Sequence, residues 1–400
     1  MSERRILAWM CVLIAVNQLG FGAVIPVLPL YAQSFGVSQA AIGATVAVYG
    51  LSRVFLSLPT GWIANQLGRR AALLTGGLVS ALGNLWCAAA GSYEELVLAR
   101  FVAGAGAGIV LTAGMIVLAD ITSTATRGRS MAIYQGVFLF AVGIGPFPGG
   151  YLAERFSLET PFLVYGIASV AAALVGWFGV SETRGMDRLG ASALRAASLR
   201  EQLLLLAGNV GFLLVCLIGL INAAARTGAL FSVVPVLARD RLALTATEIG
   251  FGFALGSIIG LVVTYPAGAL VDHYGRKAVI VPATVLTGFS MLAFSIAPSY
   301  FWFLFATGLW GGASAASGAA PAAYAADSAP SGMNAAAMGG YRMLSDMGYV
   351  LGPILLGVLA DLQGLDAPMW IAAAALVLTA TLFGVIAPET HSARRGTLTG

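Results

Sequence analysis

The sequence predicts an all-α polytopic membrane protein with twelve transmembrane helices, arranged as two six-helix bundles. Of its 400 residues, 59% are hydrophobic and only 10% are charged, whereas a soluble domain has about 25% charged residues. Apolar runs of about 20 residues, enough to cross a bilayer, recur from end to end. Helices satisfy their own backbone hydrogen bonds in lipid, and the short alternating segments of a β-barrel are absent from the sequence.

Each span is predicted from one apolar run. The basic start of the chain leads into an apolar run that continues through Leu30 without a small-residue cleavage site, which favours a retained first span over a secretory signal. The three cysteines lie inside apolar runs and show no metal or disulfide spacing. The predicted spans are 6–31, 40–64, 70–90, 95–119, 130–153, 161–180, 207–237, 248–270, 277–297, 300–325, 335–360 and 368–387.

The basic residues predict the orientation of the chain. With both termini in the cytoplasm, fourteen of the 21 lysines and arginines fall on the cytoplasmic side, three fall outside, and four lie within spans. Cytoplasmic loops carry such an excess. We therefore expect a multi-pass protein of the bacterial inner membrane. The predicted domains are 1–180 and 207–400, joined by a cytoplasmic linker, 181–206, that is a tether or includes an amphipathic surface helix near Ser192–Gln202.

An internal repeat relates the two halves at a fixed offset of 207 residues. The segment 61–70 aligns with 268–277, and Asp120 aligns with Asp327. Further along, Gly145-Pro146 aligns with Gly352-Pro353, and Glu154 with Asp361, without any gap. Duplication explains this alignment, and parallel six-helix repeats are an established plan of membrane carriers.

Four motifs now add a family resemblance across the whole chain. Segment 61–70 is similar to the pattern G-x-L-a-D-r-x-G-r-k, and the fourth span matches L-x-x-x-R-x-x-x-G-x-G. The fifth span resembles G-x-x-x-G-P-x-x-G-G with Ala141 at its first glycine, and the first span carries Gly20, Pro26 and Pro29. Together they resemble the major facilitator superfamily, and more narrowly its twelve-span drug:proton antiporters.

The resemblance implies a gate at the cytoplasmic face. This chain departs from the family at Asn65, where the family has an acid that helps to lock that face. Either the lock is weaker here, or Asp120 supplies the charge by pairing with Arg69. For Asp120 and Asp327 the alternative is a helix-end charge at a wet surface. The predicted gate residues are Gly61, Asn65, Gly68, Arg69, Arg70, Asp120, Asp272, Gly275, Arg276 and Asp327.

The glycine–proline motif of the fifth span has a counterpart in the eleventh. Proline removes a backbone donor and clashes with the preceding turn, so both helices are expected to bend. The resemblance implies that this bend seals the halves and accompanies export, while a kink without directional meaning is the alternative. The residues are Gly145, Pro146, Gly149, Gly150, Gly352 and Pro353.

Charges predicted deep in the bilayer are the candidate proton-coupling residues, because such charges are costly and usually functional. Arginine stays protonated, whereas an aspartate can change its charge near physiological pH. Asp346, the one acid predicted deep in a span, is therefore the predicted proton site. The five residues are Arg53, Arg100, Arg226, Arg342 and Asp346.

Two partners are expected for Asp346. Arg342 lies one helical turn earlier, which allows an i,i+4 pair, and the resembled fold brings Arg53 on span two towards span eleven. The hypothesis is a pair that forms in one carrier state and breaks in another, and the alternative is a permanent structural ion pair.

The other two arginines leave alternatives open. For Arg100 the resemblance implies contacts with backbone carbonyls and an influence on proton release, against a packing role. Arg226 aligns with Leu19 and has no charged counterpart in the first half. It either binds an anionic group of the substrate or balances Asp346.

A cavity lined by spans one, four, seven and ten follows from the resemblance. Its few polar anchors suit amphipathic or lipophilic compounds better than sugars or nucleotides. The predicted lining residues are Asn17, Gln18, Tyr49, Gln135, Phe138, Asn222, Phe231 and Trp310.

The sequence argues against ATP-driven transport and against an enzyme. The glycine-rich run 311–318 lacks G-K-[ST], and the two histidines, His273 and His391, belong to no catalytic set. The resemblance implies proton-coupled efflux by alternating access. The alternatives are a proton-coupled importer or a metabolite or sugar exporter on the same fold, and a non-transporting receptor. Expected partners are a small molecule, protons and the lipid bilayer, with no nucleic acid, cofactor or metal, for a chain that acts as a monomer.

Overall fold

The computed structural model describes residues 3–122, 127–183, 205–328 and 334–390, and these residues form helices and no strands. The surface helix predicted near Ser192–Gln202 lies outside the described residues. The helices of the first half are α1 (Glu3–Val24), α2 (Leu28–Ser34), α3 (Gln39–Leu67), α4 (Arg69–Ala88), α5 (Tyr93–Ile121), α6 (Arg127–Ile144), α7 (Pro146–Arg155) and α8 (Thr160–Gly179).

The second half follows the same order of spans. It consists of α9 (Val210–Ala224), a π-helix (Ala225–Val233), α10 (Val234–Leu242), α11 (Ala246–Tyr274), α12 (Arg276–Ser295), α13 (Tyr300–Asp327), α14 (Asn334–Gln363) and α15 (Ala367–Ile386). A helix occupies each of the twelve predicted spans. The predicted fold class is therefore confirmed.

Eleven helical stretches within the described residues are long and apolar enough to cross a membrane. The tenth predicted span, α13, is a helix of 28 residues that falls outside this set. Its sequence includes four glycines and two serines, and its 28 residues are enough to span a bilayer.

Two predicted spans are interrupted close to a proline. The first is interrupted between Val24 and Leu28, around Pro26, and the fifth is divided where α6 ends at Ile144 and α7 begins at Pro146. Proline lacks the amide that would continue the hydrogen-bond ladder. By contrast, α14 continues through Pro353. The two glycine–proline motifs of the repeat therefore have different local structures.

Glycine ends the second and eighth spans with the same backbone geometry. Gly68 separates α3 from α4 at φ 96° and ψ 157°, and Gly275 separates α11 from α12 at φ 96° and ψ 168°. Residues with a side chain rarely adopt such a positive φ. The repeat seen in the sequence is thus a repeat of backbone conformation.

The chain divides into two compact units. The first comprises Met1–Ala193 and Phe231–Ala254, and the second comprises Leu194–Leu230 and Leu255–Gly400. The core of the first unit includes Ile14, Leu118 and Tyr134, and the core of the second includes Phe212, Tyr324 and Phe383. The domain boundaries predicted from the sequence stay a prediction.

Candidate functional site

The predicted proton site lies on α14 in the second unit. The Arg342 guanidinium Nε lies 3.9 Å from Asp346 Oδ2, in the i,i+4 arrangement. The two side chains are 77% and 47% exposed. Asp346, which the sequence analysis placed deep in a span, has a side chain that is partly exposed at the surface of α14. The pair therefore lies at the surface of the second unit.

Small residues bring α14 close to the seventh span. A Cβ at Gly348 would overlap the Leu220 carbonyl, and a Cβ at Gly352 would lie 2.5 Å from Ala224 Cα. Small residues let helix backbones approach closely in this way. The residue numbers rise together along the contact, so the two helices run in the same direction.

The π-helix holds Arg226. Thr227 Oγ1 donates hydrogen bonds to the Ala223 carbonyl at 2.9 Å and to the Tyr349 carbonyl at 3.2 Å. Arg226 is exposed, although Ala225, Thr227 and Gly228 are buried. The segment therefore presents one charged side chain at the surface of the second unit.

Arg100 lies in the first unit and is only 2% exposed. Its Nε donates to the Thr45 carbonyl at 3.5 Å, and its guanidinium carbon lies 4.2 Å from the centre of the Tyr49 ring. Its Nη1 has no hydrogen-bond partner among the described residues. The aromatic face and a backbone carbonyl thus provide the negative potential around this cation.

A cluster of charges surrounds the N-terminus of α4. Arg69 Nε lies 2.9 Å from Asp120 Oδ2, and the Thr183 hydroxyl donates to the same oxygen at 2.9 Å. The backbone amides of Arg69 and Arg70 donate to the two carboxylate oxygens of Glu182 at 3.0 and 3.2 Å. A carboxylate at this position caps the helix and complements its dipole.

The same cluster recurs at α12. Arg276 Nε lies 2.9 Å from Asp327 Oδ2, and the amides of Arg276 and Lys277 donate to Glu389 at 3.2 and 3.0 Å. The sequence analysis did not predict Glu182 or Glu389. Their signal was available, because their numbers differ by the repeat offset (389 − 182 = 207). The Arg276–Asp327 pair is 19% and 35% exposed, against 9% and 3% for the Arg69–Asp120 pair.

Three predicted gate positions cannot be placed. The side chains of Asn65 and Asp272 and the environment of Gly61 lie outside the part of the structure that is described. Gly68 and Gly275 lie directly against the caps, since a Cβ at either would contact Glu182 or Glu389. These glycines are needed for the close approach of each carboxylate as well as for their positive φ.

The glycine–proline motif of the fifth span packs tightly within the first unit. A Cβ at Gly149 would overlap the Ala23 carbonyl of α1, and one at Gly150 would overlap the Ala246 carbonyl. Nearby, Glu154 Oε2 accepts a hydrogen bond from the Thr247 amide at 3.3 Å. Because backbone atoms meet at these glycines, a side chain there has no space.

The predicted substrate residues are divided between the two units, and their role in binding stays a prediction. Asn17 and Gln18 are buried, and Gln18 Nε2 donates to Asn17 Oδ1 at 3.0 Å. Tyr49 is buried under Arg100. Asn222 Nδ2 donates to the Ile218 carbonyl at 3.0 Å. Of the predicted substrate residues, the first unit contains Asn17, Gln18, Tyr49, Gln135, Phe138 and Phe231, and the second contains Asn222 and Trp310. Of the predicted proton-coupling residues, Arg342 and Asp346 lie in the second unit and Arg53 lies in the first.

Long apolar helices, a repeated charge cluster and charged groups within spans define a polytopic membrane carrier. The chain matches the model of the Major Facilitator Superfamily over residues 10–265 and 215–399. It therefore belongs to that family, as its motifs predicted.

Relatives and solved structures agree with this membership. An uncharacterized MFS-type transporter of Methanocaldococcus jannaschii is 22% identical over 352 residues, covering 87% of this chain and 89% of the relative. The quinolone resistance protein NorA of Staphylococcus aureus is 29% identical over 154 residues, covering 38% of this chain and 39% of NorA. The crystal structure of the nucleoside transporter NupG has a TM-score of 0.78 at 14% identity, covering 94% and 98% of the chains. These similarities make the chain a multi-pass secondary transporter of small molecules and not an enzyme.

Proposed function

We propose that this carrier exports lipophilic small molecules in exchange for protons, and that Asp346 carries the proton. The observation that carries the proposal is the Arg342–Asp346 pair, which joins a titratable group to a fixed cation at 3.9 Å on a transmembrane helix. Arginine keeps its charge at all physiological pH values, so the carboxylate is the partner that changes. Its exposure gives protons access to the site.

The proposed cycle uses this pair as a switch. Asp346 releases a proton on the cytoplasmic side as the substrate binds, and its carboxylate then pairs with Arg342. On the outer side Asp346 regains a proton, the pair opens, and the substrate leaves. Two conformations that differ by a few kcal/mol can be shifted by such a change in charge. Alternating access of the two repeats completes the cycle.

The direction of transport rests on two further observations. The tight glycine contacts of Gly149 and Gly150 lie in the motif that resembles exporters, and the partial similarity to a quinolone resistance protein supports drug export. The proposed orientation places the caps at Glu182 and Glu389 on the cytoplasmic side, where they would stabilise the gate residues Arg69 and Arg276.

Proton uptake together with a substrate is the second candidate. It is favoured by the fold of a D-xylose–proton symporter, which has a TM-score of 0.75 and is 17% identical. The sign of the proton flux separates the two candidates. Exchange moves protons against the direction of the substrate, and symport moves both in the same direction.

Replacement of Asp346 by asparagine is expected to abolish substrate-driven proton flux. Asparagine keeps the shape of the side chain but cannot bind and release a proton. Purified protein in vesicles with a lumenal pH dye and an imposed pH gradient would be tested with lipophilic cations, anions, neutral drugs and sugars. We expect flux in the variant to fall about 100-fold, to the level of protein-free vesicles, a difference of about 2.7 kcal/mol in barrier.

The control is Glu94→Gln, which neutralises an exposed acid in the first turn of α5. Its flux should match that of the wild type. Flux that survives in Asp346→Asn would move the proton to another acid, with Asp120 and Glu248 tested next. Wild-type vesicles that show no flux with any compound would contradict proton coupling altogether.

A further inference from the structure

Two neighbouring rows of side chains run along α14. Arg342 and Asp346 are four residues apart and form the first row, and each of them is followed directly by a methionine, Met343 or Met347. Residues four apart on a helix lie one above the other on the same face. The two methionines therefore form a second row, which runs beside the charged row over the same stretch of the helix.

Both rows lie deep in the eleventh span. The long apolar stretch of this span runs from Ala337 to Gln363, so Asp346 lies nine residues from its start (346 − 337 = 9). Nine helical residues extend about 14 Å, and half of the bilayer core is about 15 Å thick. Charged groups near the middle of a membrane face protein or water, because contact with lipid is costly for them.

The side chains of both rows are accessible at the surface of the second unit. Met343 is 62% exposed and Met347 44%, and the Arg342 and Asp346 side chains are also exposed. Met343 lies three residues before Asp346 and about 60° from it around the helix, so the two side chains are neighbours. Because the exposed charges at this depth require water, the methionine row borders the same aqueous path.

Methionine suits a surface that must fit more than one apolar shape. Its side chain is unbranched and polarizable, with three rotatable bonds, and methionines are common on promiscuous binding surfaces. Apolar side chains that border water are stabilised when an apolar ligand covers them. Met343 and Met347 therefore offer an adaptable apolar surface directly beside an ionisable pair.

We propose that Met343 and Met347 form an apolar wall of the substrate site, against which the lipophilic part of the transported compound packs beside Asp346. This inference rests on the proposed export function and assigns two residues that bind its substrates. The wall accepts lipophilic compounds of different outlines, since both side chains can change rotamer. A compound in this position lies next to the Arg342–Asp346 pair, which brings the substrate and the proton to one place on α14.

Thiol labelling tests whether the methionine row borders water and whether a substrate covers it. Met343→Cys is introduced into the full chain with its three native cysteines replaced by serine, and the protein in lipid nanodiscs is treated with a charged methanethiosulfonate. The matched control is Leu355→Cys, because Leu355 is also 62% exposed but lies about 180° from Asp346 around the helix. We expect Met343→Cys to react at least tenfold faster than Leu355→Cys. The lipophilic dye rhodamine 6G should slow the reaction of Met343→Cys at least fivefold.

Dye binding tests the contribution of the two side chains to affinity. Fluorescence anisotropy in detergent measures the binding of rhodamine 6G, a cation, and of Nile red, a neutral dye of different outline. Met343→Ala combined with Met347→Ala should weaken the binding of both dyes at least fivefold, because it removes both apolar side chains. The corresponding double leucine variant should bind both dyes more tightly than the double alanine variant, and Leu355→Ala should leave both affinities unchanged.

Three results would overturn the assignment. They are equal labelling of the two cysteines, which would make lipid the occupant of both surfaces, labelling of Met343→Cys that the dye does not slow, and unchanged affinities in the double alanine variant. The proposed function fails separately. Dyes that bind against the methionine row without any proton flux in vesicles would reject proton exchange and leave the apolar wall standing.

Discussion

Replacing Asp120 with asparagine is expected to destabilise the first unit by about 3 kcal/mol, because it leaves the Arg69 charge without its counter-ion in a buried site. The Arg69 and Asp120 side chains are only 9% and 3% exposed, and the two groups are 2.9 Å apart. Asp120 also accepts a hydrogen bond from Thr183. Thermal unfolding in detergent, followed with a thiol-reactive dye that labels the buried Cys87 as it becomes accessible, would measure the loss.

The repeat supplies the control for this experiment. Asp327→Asn removes the corresponding carboxylate from a pair of the same length whose side chains are 19% and 35% exposed. Exposed pairs contribute at most about 1 kcal/mol, so this variant should unfold within a few degrees of the wild type. Equal losses in both variants would show that burial is not what distinguishes the two clusters.

Gly149→Ala is expected to cost about 3 kcal/mol, at the upper end for overpacking of a tight core. The added methyl group would overlap the Ala23 carbonyl of α1, and a backbone atom cannot rotate away as a side chain can. The helices α1 and α7 must then separate. We expect a lower unfolding temperature and, in vesicles, a transport rate reduced in proportion to the folded fraction or more.

Gly136→Ala is the matched control, because a Cβ at Gly136 meets nothing within 4 Å. Alanine is favoured over glycine inside a helix by about 0.5–1 kcal/mol. This variant in α6 should therefore be as stable as the wild type or slightly more stable. If Gly149→Ala were also neutral, the close contact between α1 and α7 would not hold in the membrane.

The sequence predicted most of the fold because the two signals that determine it can be read without knowing which residues pack together. Apolar runs located every span, and the fixed repeat offset related Gly68 to Gly275 and Asp120 to Asp327. The structure places each of these aspartates beside its arginine. Glu182 and Glu389 share the same offset. They lie in polar segments that follow the sixth and twelfth spans, where an acidic residue is expected simply because the segment is exposed to water.

Other features depend on packing between distant residues and had no local signal. Nothing in the residues of Ala225–Val233 distinguishes a π-helix from an α-helix, since its geometry depends on contacts such as that between Thr227 and Tyr349. Likewise, the sequence did not predict that Gln18 donates a hydrogen bond to Asn17 inside the first unit, and the role of both residues in a substrate cavity stays a prediction. Polar side chains in a span can face a cavity or satisfy one another, and only the three-dimensional arrangement decides which.

The carboxylate caps also determine when each half can finish folding during synthesis. Glu182 lies 113 residues after the amide of Arg69 that it caps, and Glu389 lies 113 residues after that of Arg276. At about 5–20 residues per second, the ribosome needs roughly 6–23 s to make that interval. Once α4 or α12 has been made, its first amides therefore stay uncapped for the rest of this interval. The capping acid thus completes this helix end long after the helix itself is made, and a nascent chain stopped before Glu182 would expose that unfinished helix end to cellular proteases.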